Sequence, residues 1–156
     1  MTLTTAQLIG TPVHANEFDL DGALEAGKKA TGASSAIAVG RVVFQTSSSG
    51  LWAIATSGST GRMAIVPKLH QGDGNTDGSA SITVAARPGA QYFVEANGAI
   101  KPGSQVLPDT GGKVKSTSAQ GFAVYKGHDG EGSNGNPPTD AAAAEAVIIE
   151  LSGDVV

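Results

Sequence analysis

Apolar residues along this chain come in short runs, and Gly, Pro, Asn, Asp and Ser cut those runs at close intervals. The runs are rich in Val, Ile and Phe, which fit a pleated surface, while the cutting residues supply the dihedrals of tight turns. The densest example is 91–126. There Gln-Tyr-Phe-Val-Glu leads to Asn97-Gly98, Ala-Ile to Pro102-Gly103, Gln-Val-Leu to Pro108-Asp109, and Gly111-Gly112 to Lys-Val-Lys; a Ser/Thr turn and Gly-Phe-Ala-Val-Tyr-Lys follow. Asn-Gly between two such runs is a strong hairpin signal, and Pro102, lacking a backbone donor, keeps its own position out of a central strand. The stretch predicts a compact β-meander.

The same pattern holds upstream. Ser35–Gln45 reads as strand, glycine break, strand; Ser47–Gly50 as a turn; Leu51–Thr56 as a strand holding the single Trp, Trp52. Ser57–Gly61 turns again, Arg62–Leu69 is a strand ending near Pro67, 71–79 is a polar loop, and Ser81–Arg87 is a strand turned by Pro88-Gly89. Downstream, Gly127–Thr139 is the longest loop. Ala141–Ala146 has helical composition with Thr139 as a cap, but Val147-Ile-Ile-Glu-Leu151 is a strand signature, so a closing strand is expected. Many short strands with regular turn signals predict an all-β sandwich or barrel. A weak echo runs through it. Val39-Gly40-Arg-Val-Val43 and Pro102-Gly103-Ser-Gln-Val106 each place Val three residues after Gly; a Gly turn (Gly50, Gly112) and a Gly-led strand (Gly61, Gly121) follow each. Two β-units folded alike would produce this.

Residues 1–30 differ. Glu17–Ala30 mixes Phe18, Leu20 and Leu24 with acidic residues. It reads either as a short helix over 21–29 with Asp21 as N-cap, weakened by Gly22 and Gly27, or as an extended arm that orders on a partner. The expected organisation is an N-terminal arm, 1–30, and a β-rich domain, 31–156.

Composition sharpens this picture in three ways. Gly is 22 of 156 residues, about twice the usual ~7%, and aromatics are only 4%. The core must therefore be built from small aliphatic side chains, and burial against a partner or a second copy would add stability. Net charge is −4 with scattered Lys and Arg, so no nucleic-acid partner is expected. There is no Cys, no apolar run approaching the ~20 residues of a membrane span, and no basic n-region or long h-region at the start; thiolate metal sites are excluded, and a soluble product made in a cytoplasm, with no membrane contact, is expected.

Candidate chemistry is thin. Asp73-Gly-Asn-Thr-Asp-Gly78 matches the first half of a calcium loop, but the twelfth position is Val84 where a bidentate Glu belongs. Gly130-Glu-Gly-Ser-Asn-Gly135 is a literal G-x-G-x-x-G, but Asn136-Pro-Pro follows instead of a helix, and Glu131 would repel a phosphate. His14, His70 and His128 fall in separate loops, two of them near Asp73 and Asp129, and read as solvated histidines rather than metal ligands or triad members. The carboxylates Glu17, Asp19 and Asp21 read as a solvated acidic turn. Trp52, Tyr92 and Phe93 have the chemistry of sugar-stacking platforms, but in a chain this poor in aromatics they read as core. No catalytic, metal or cofactor residue is assigned, and no enzyme activity is expected.

The order Ala38-Val-Gly-Arg-Val-Val, Gly61-Arg-Met-Ala-Ile-Val, Asn97-Gly-Ala-Ile-Lys-Pro-Gly-Ser-Gln-Val, Gly112-Lys-Val, Gly121-Phe-Ala-Val, Val147-Ile-Ile-Glu-Leu resembles the head-decoration, or capsid cement, proteins of tailed bacteriophages. The resemblance covers 31–151, is best over Asn97–Val106, and consists of Gly/Val spacings rather than catalytic signatures. It implies a β-tulip-like body without enzyme activity or cofactor. The body would sit on the outer surface of the expanded head as a homotrimer and clamp neighbouring major capsid subunits. Each further contact at such a junction is made at high effective concentration. Residues 1–30 exceed the minimal family pattern. The candidate capsid-binding side chains are Leu3, Leu8, Ile9 and Val13, on an arm able to add a strand to a neighbour's sheet edge; removing 1–20 is expected to abolish shell binding and leave the β domain folded. The competing reading is a carbohydrate- or surface-binding β-sandwich module acting through Trp52 or Tyr92.

Overall fold

The computed structural model describes residues 3–13, 24–30, 37–46, 49–68, 80–131 and 136–153. Apart from a single-turn helix α1 (Thr5–Leu8), its elements are short antiparallel strands: β1 (Glu25–Lys28), β2 (Val42–Gln45), β3 (Trp52–Ile54), β4 (Met63–Ile65), β5 (Ser81–Val84), β6 (Gln91–Glu95), β7 (Gln105–Asp109), β8 (Lys113–Thr117), β9 (Ala123–Gly127) and β10 (Ala146–Leu151). The expected all-β fold is what forms.

The strands fall into two sets with one topology. In the second half the sheet order is β6-β10-β9-β7-β8. In the first half β1 pairs with β5 and β3-β2-β4 form a sheet, and a bridge between Ile65 and Ala85, with both backbone hydrogen bonds made (2.9 and 2.8 Å), joins β4 to β5. The order is therefore β1-β5-β4-β2-β3. Register agrees as well. Val42 faces Ile65 as Gln105 faces Val124; Gln45 faces Trp52 as Pro108 faces Val114; Ile65 faces Ala85 as Val124 faces Glu150. Parallel bridges Lys29–Trp52 and Ala96–Val114 then bring the end of each set's first strand back to its last, which closes each set into a small barrel. The turns that start β2 and β7 hold Gly40 and Gly103 at matching positive φ, 75° and 80°. The sequence echo is thus a duplicated five-stranded unit, barrel 1 (β1–β5) and barrel 2 (β6–β10).

The two interiors solve one packing problem differently. Barrel 1 is filled by Ile37, Val43, Trp52, Ala64, Val66, Ile82 and Val84. At the matching places barrel 2 carries Ile100, Val106, Val114, Ala123, Tyr125, Val147 and Ile149, all buried. Trp52 occupies the place of Val114, and the residue beneath it is Gly27 where barrel 2 has Val94. A Cβ on Gly27 would lie 2.7 Å from the indole Cδ1, so glycine clears the volume that tryptophan fills. The barrels meet through the outer face of barrel 1, where Val42, Ala55, Met63, Ile65 and Ala85 are buried in one cluster with barrel 2 residues. The corresponding positions of barrel 2 are Gln105, Thr117, Phe122, Val124 and Glu150, of which all but Phe122 stay partly exposed.

Several local expectations change. Residues 91–126 are not a meander: β10 lies between β6 and β9, and β8 is an edge. The Asn97-Gly98 turn is present, but it hands the chain to the other side of the barrel. The reason is burial, since the apolar run Ala146–Leu151, buried at every position but Glu150, is accommodated only at the centre of the sheet. Pro108 and Asp109 belong to β7, and the turn is Thr110–Gly112; Pro108 lies beyond the β9 pairing, where β7 has one neighbour. Within 21–29, residues 25–28 form β1 of barrel 1 rather than a helix or a free arm, because Ala26 and Gly27 pair across to Thr83 and Ile82; Asp21 lies outside the described residues. Residues 37–41 are a turn rather than a strand.

The Gly27–Trp52 compensation is testable by a double-mutant cycle. Gly27→Val alone should destabilise by about 1–3 kcal/mol through overpacking, and Trp52→Val alone by about 2–4 kcal/mol through the cavity it leaves. The pair together, which recreates the Val94–Val114 arrangement, should cost at least ~1 kcal/mol less than the sum. Urea unfolding followed by far-UV circular dichroism reads all four proteins; strict additivity would show that the two positions do not share one volume.

Candidate functional site

The arm begins with a capping box. The Thr4 hydroxyl accepts the Gln7 N–H (3.3 Å), and the Thr4 N–H donates to Gln7 Oε1 (2.8 Å), which satisfies amides that a one-turn helix would leave open. The chain then turns through Gly10 and runs along the outer edge of β6. Gly10 N–H donates to Phe93 O (2.8 Å), Phe93 N–H to Thr11 O (3.0 Å), and Val13 N–H to Gln91 O (3.0 Å). On its other side Gly10 O accepts the Lys68 N–H of barrel 1 (2.8 Å). This close passage needs bare backbone: a Cβ on Gly40 would lie 2.0 Å from Ile9 Cγ2, and one on Gly10 2.9 Å from Gly40 N. The arm therefore adds a strand to a sheet edge, as extended arms do, but the edge is its own.

The reason lies in the alternation of the strands beneath. Tyr92, Val94, Val147 and Ile149 point into barrel 2, which leaves Phe93, Ala146 and Ile148 on the outside. Leu8 covers them, with Ile9 and Val13 alongside. The matching outer positions of barrel 1 are Ala26, Ser81 and Thr83, which need no cover. Of the four candidate capsid-binding side chains, the structure thus gathers Leu8, Ile9 and Val13 onto β6 and β10 and leaves Leu3 apart. Leu3 is 46% exposed, the one large apolar side chain so exposed among the described residues. Sequence reasoning set the arm apart from the body. The apolar residues at successive positions of the closing strand, Ala146-Val147-Ile148-Ile149, were the signal that its outer face needed a cover.

An ion cluster sits where the barrels meet. Glu95 at the end of β6 lies 2.9 Å from Arg41 of barrel 1 and 2.8 Å from Lys113 of β8. Burial works to raise the Glu95 carboxyl, but Lys113 and Arg41 outweigh it and hold it below the usual carboxylate range. A lowered folded-state value means that the carboxylate stabilises the fold at neutral pH and ceases to do so as pH falls through that value.

The second polar cluster was not legible in the sequence, which placed His128 among solvated loop histidines. Its side chain is 22% exposed, with Glu131 at 3.1 Å from Nδ1 and Glu145 at 2.7 Å from Nε2. Glu131 also accepts from the backbone N–H of His128 (2.8 Å) and from the N–H (3.1 Å) and hydroxyl (2.6 Å) of Thr139. Burial acts to raise its carboxyl, and these donors bring it down to about 2. Burial, with Glu131, Glu145 and Asp140 nearby, raises the Tyr125 phenol. His128 and Glu131 share the turn after β9, while Thr139 and Glu145 come from the segment before β10, and no spacing rule links the two.

The other sequence candidates divide into two groups. Trp52, Tyr92 and Phe93 are 1%, 1% and 4% exposed; they are core and offer no stacking face. The Asp73–Gly78 loop, His14, His70, Glu17, Asp19 and Asp21 lie outside the described residues, as do residues 132–135 of the glycine-rich stretch. A shallow hollow of about 400 Å³, lined by Ala99, Ile100, Lys101, Ser104, Thr117 and Asp140 among others, opens on barrel 2. Among the described residues no group of His, Asp and Glu is arranged to hold a metal ion.

No protein-family model matches the chain, and no curated protein matches it in sequence. Among solved structures, it is similar in fold to the N base of the head fiber gp8.5 of bacteriophage phi29. The likeness has a TM-score of 0.53 at 14% identity and covers 85% of this chain and 96% of that one.

Proposed function

We propose that this chain is a structural protein of a phage virion, carried on the outside of the head, where it clamps neighbouring major capsid subunits as a homotrimer. The observation that carries the reading is the fold likeness to a phage head fiber base, which spans nearly all of both chains. The sequence resemblance to head-decoration proteins points the same way by an independent route. The body suits the task physically. Two barrels pack against each other and a strand-forming arm is hydrogen-bonded to both, so the body is stiff and holds contact surfaces at fixed spacing. That is what multivalent binding across a junction rewards. No chemistry is needed for such a role, and no enzyme activity or cofactor is part of the proposal. The glycan-binding alternative loses its platforms, since Trp52 and Tyr92 are buried.

Within this reading the arm has two parts. Leu8 holds the arm to barrel 2, and Leu3, exposed at its tip, is the side chain free to meet the shell. Leu8→Ala should therefore destabilise the isolated protein by about 2–3 kcal/mol, and Leu3→Asp should leave stability within about 0.5 kcal/mol of wild type while weakening head binding. Equal stability losses for both, by urea unfolding, would contradict the division.

The reading itself is tested by co-sedimentation of the purified protein with DNA-filled heads that lack it, beside unexpanded shells. Saturable binding to filled heads at a fixed ratio to the shell subunit is the expected result. Absence of binding to either particle would overturn the proposal.

A further inference from the structure

We propose that His128 is a proton-operated latch on barrel 2: as an imidazolium it ties the turn after β9 to residues 139–145, and loss of one ring proton lets that segment leave the end of the barrel.

Tyr125 has one hydroxyl hydrogen, and it goes to the Thr139 carbonyl (2.8 Å). Thr139 has one, and it goes to Glu131 Oε1 (2.6 Å). Both hydroxyl oxygens lie 3.3 Å from His128 Nδ1, and with their hydrogens committed they present only lone pairs to it. The third neighbour of Nδ1 is Glu131 Oε2 at 3.1 Å. Nε2 faces Glu145 Oε2 at 2.7 Å, an oxygen that already accepts the Ala142 N–H (2.8 Å). Every group around either ring nitrogen is an acceptor. A neutral imidazole has one N–H and would set its bare nitrogen against a carboxylate; only the doubly protonated ring satisfies both sides. The charged groups around the ring are Glu131 on its own turn and Glu145 on the opposing segment, with Tyr125 of β9 beside them and Asp140 adding to the negative charge around the phenol. The nearest formal charges are both negative.

The segment that the latch holds is under load. Ala144 sits at φ +68°, in the left-handed region, which disfavours a residue with a Cβ by about 1–2 kcal/mol. It is held there by its N–H bond to Ala96 O (2.9 Å) and by the Ile100–Ala141 bridge, with hydrogen bonds of 3.2 and 2.8 Å. Letting the segment go would relieve Ala144 and uncover Ile100, now 1% exposed. Barrel 1 has Val66 and Ala80 where barrel 2 has Tyr125 and Glu145, so the duplicated unit does not require the latch; it belongs to barrel 2.

The direction of the pH response follows. Burial opposes the charge on His128, but its bonds to Glu145 and Glu131 prevail and raise it above the ordinary histidine value. A value raised in the folded state gives stability that is complete below the unfolded value of about 6.5 and is lost as pH climbs through the folded one. The latch is closed below the ordinary histidine value and opens as pH climbs through the raised one.

Two readouts on the full chain test this. In an NMR titration, the imidazole resonance that disappears in His128→Gln should titrate above the ordinary histidine value, and Glu145→Gln should bring it down. In hydrogen exchange corrected for intrinsic base catalysis, the Thr139, Ala141 and Ala144 amides, which donate to Glu131, Ile100 and Ala96, should lose about tenfold in protection as pH rises through the His128 titration read by NMR, while the Ile65 and Ala85 amides of barrel 1 hold theirs. In Glu145→Gln, which keeps the side-chain volume, that pH dependence should shrink. A His128 that titrates at or below the ordinary value, or Thr139, Ala141 and Ala144 protection that does not change with pH, would overturn the latch.

Discussion

The architecture depends on one close passage of backbone. Gly10 and Gly40 cross with no side chain between them, and there the N-terminal arm bonds to both barrels at once, donating to Phe93 on one side and accepting from Lys68 on the other. A side chain on Gly40 would collide with Ile9. Without the passage Leu8 would not reach Phe93 and Ile148, and the outer face of β6 and β10 would be left apolar and wet. The Arg41–Glu95–Lys113 cluster and the buried Met63 and Ile65 secure the same junction from beneath. Ion pairs contribute modestly next to burial of this kind, so the cluster fixes how the barrels are oriented and the apolar contact supplies most of the stability.

Duplication explains why the two halves can look so different in sequence. Topology and register agree at every pairing compared, yet barrel 1 pairs Trp52 with Gly27 where barrel 2 pairs Val114 with Val94. A core constrains total volume and pattern more tightly than identity. The faces obey a second rule. Outward positions are apolar where something covers them, as at Val42 and Ile65 under barrel 2 and at Phe93 and Ile148 under the arm. They are polar where no described residue covers them, as at Gln105. Each half carries on its surface the record of what packs against it.

This separates what the sequence could disclose from what it could not. Strand class, the glycine turns and the Gly40/Gly103 echo follow from local chemistry, because a glycine at positive φ or a Val-Val pair reads the same wherever it lies, whereas Pro108-Asp109 was drawn into β7 by its pairing with β8. The placement of β10 between β6 and β9 depends on contacts some fifty residues apart along the chain, and the Asn97-Gly98 turn argued locally for the wrong neighbour. Glu25–Lys28 was ambiguous for a related reason: Glu-Ala-Gly-Lys has no strand character of its own, and its pairing with Ser81–Val84 decides the matter. The His128 cluster lay furthest out of reach. Its members come from β9, the turn after it and the segment before β10, and nothing in the spacing of 125, 128, 131, 139 and 145 marks them as neighbours.

The arm and the latch bear differently on a role at a shell surface. An arm that docks on its own barrel orders before any partner arrives, so binding would not carry the entropy cost of folding it, which is of order 1–2 kcal/mol for each residue fixed. What remains for a partner is the tip at Leu3 and whatever the loops present. A small protein gripping several subunits gains affinity from rigidity, because preorganised contacts add without further ordering. Barrel 2 departs from that rule at one end, where a strained Ala144 is held down by hydrogen bonds and a single charge. A rigid body with one releasable segment is able to bind in one state and change its surface in another, and the proton on His128 is the smallest ligand that could separate the two.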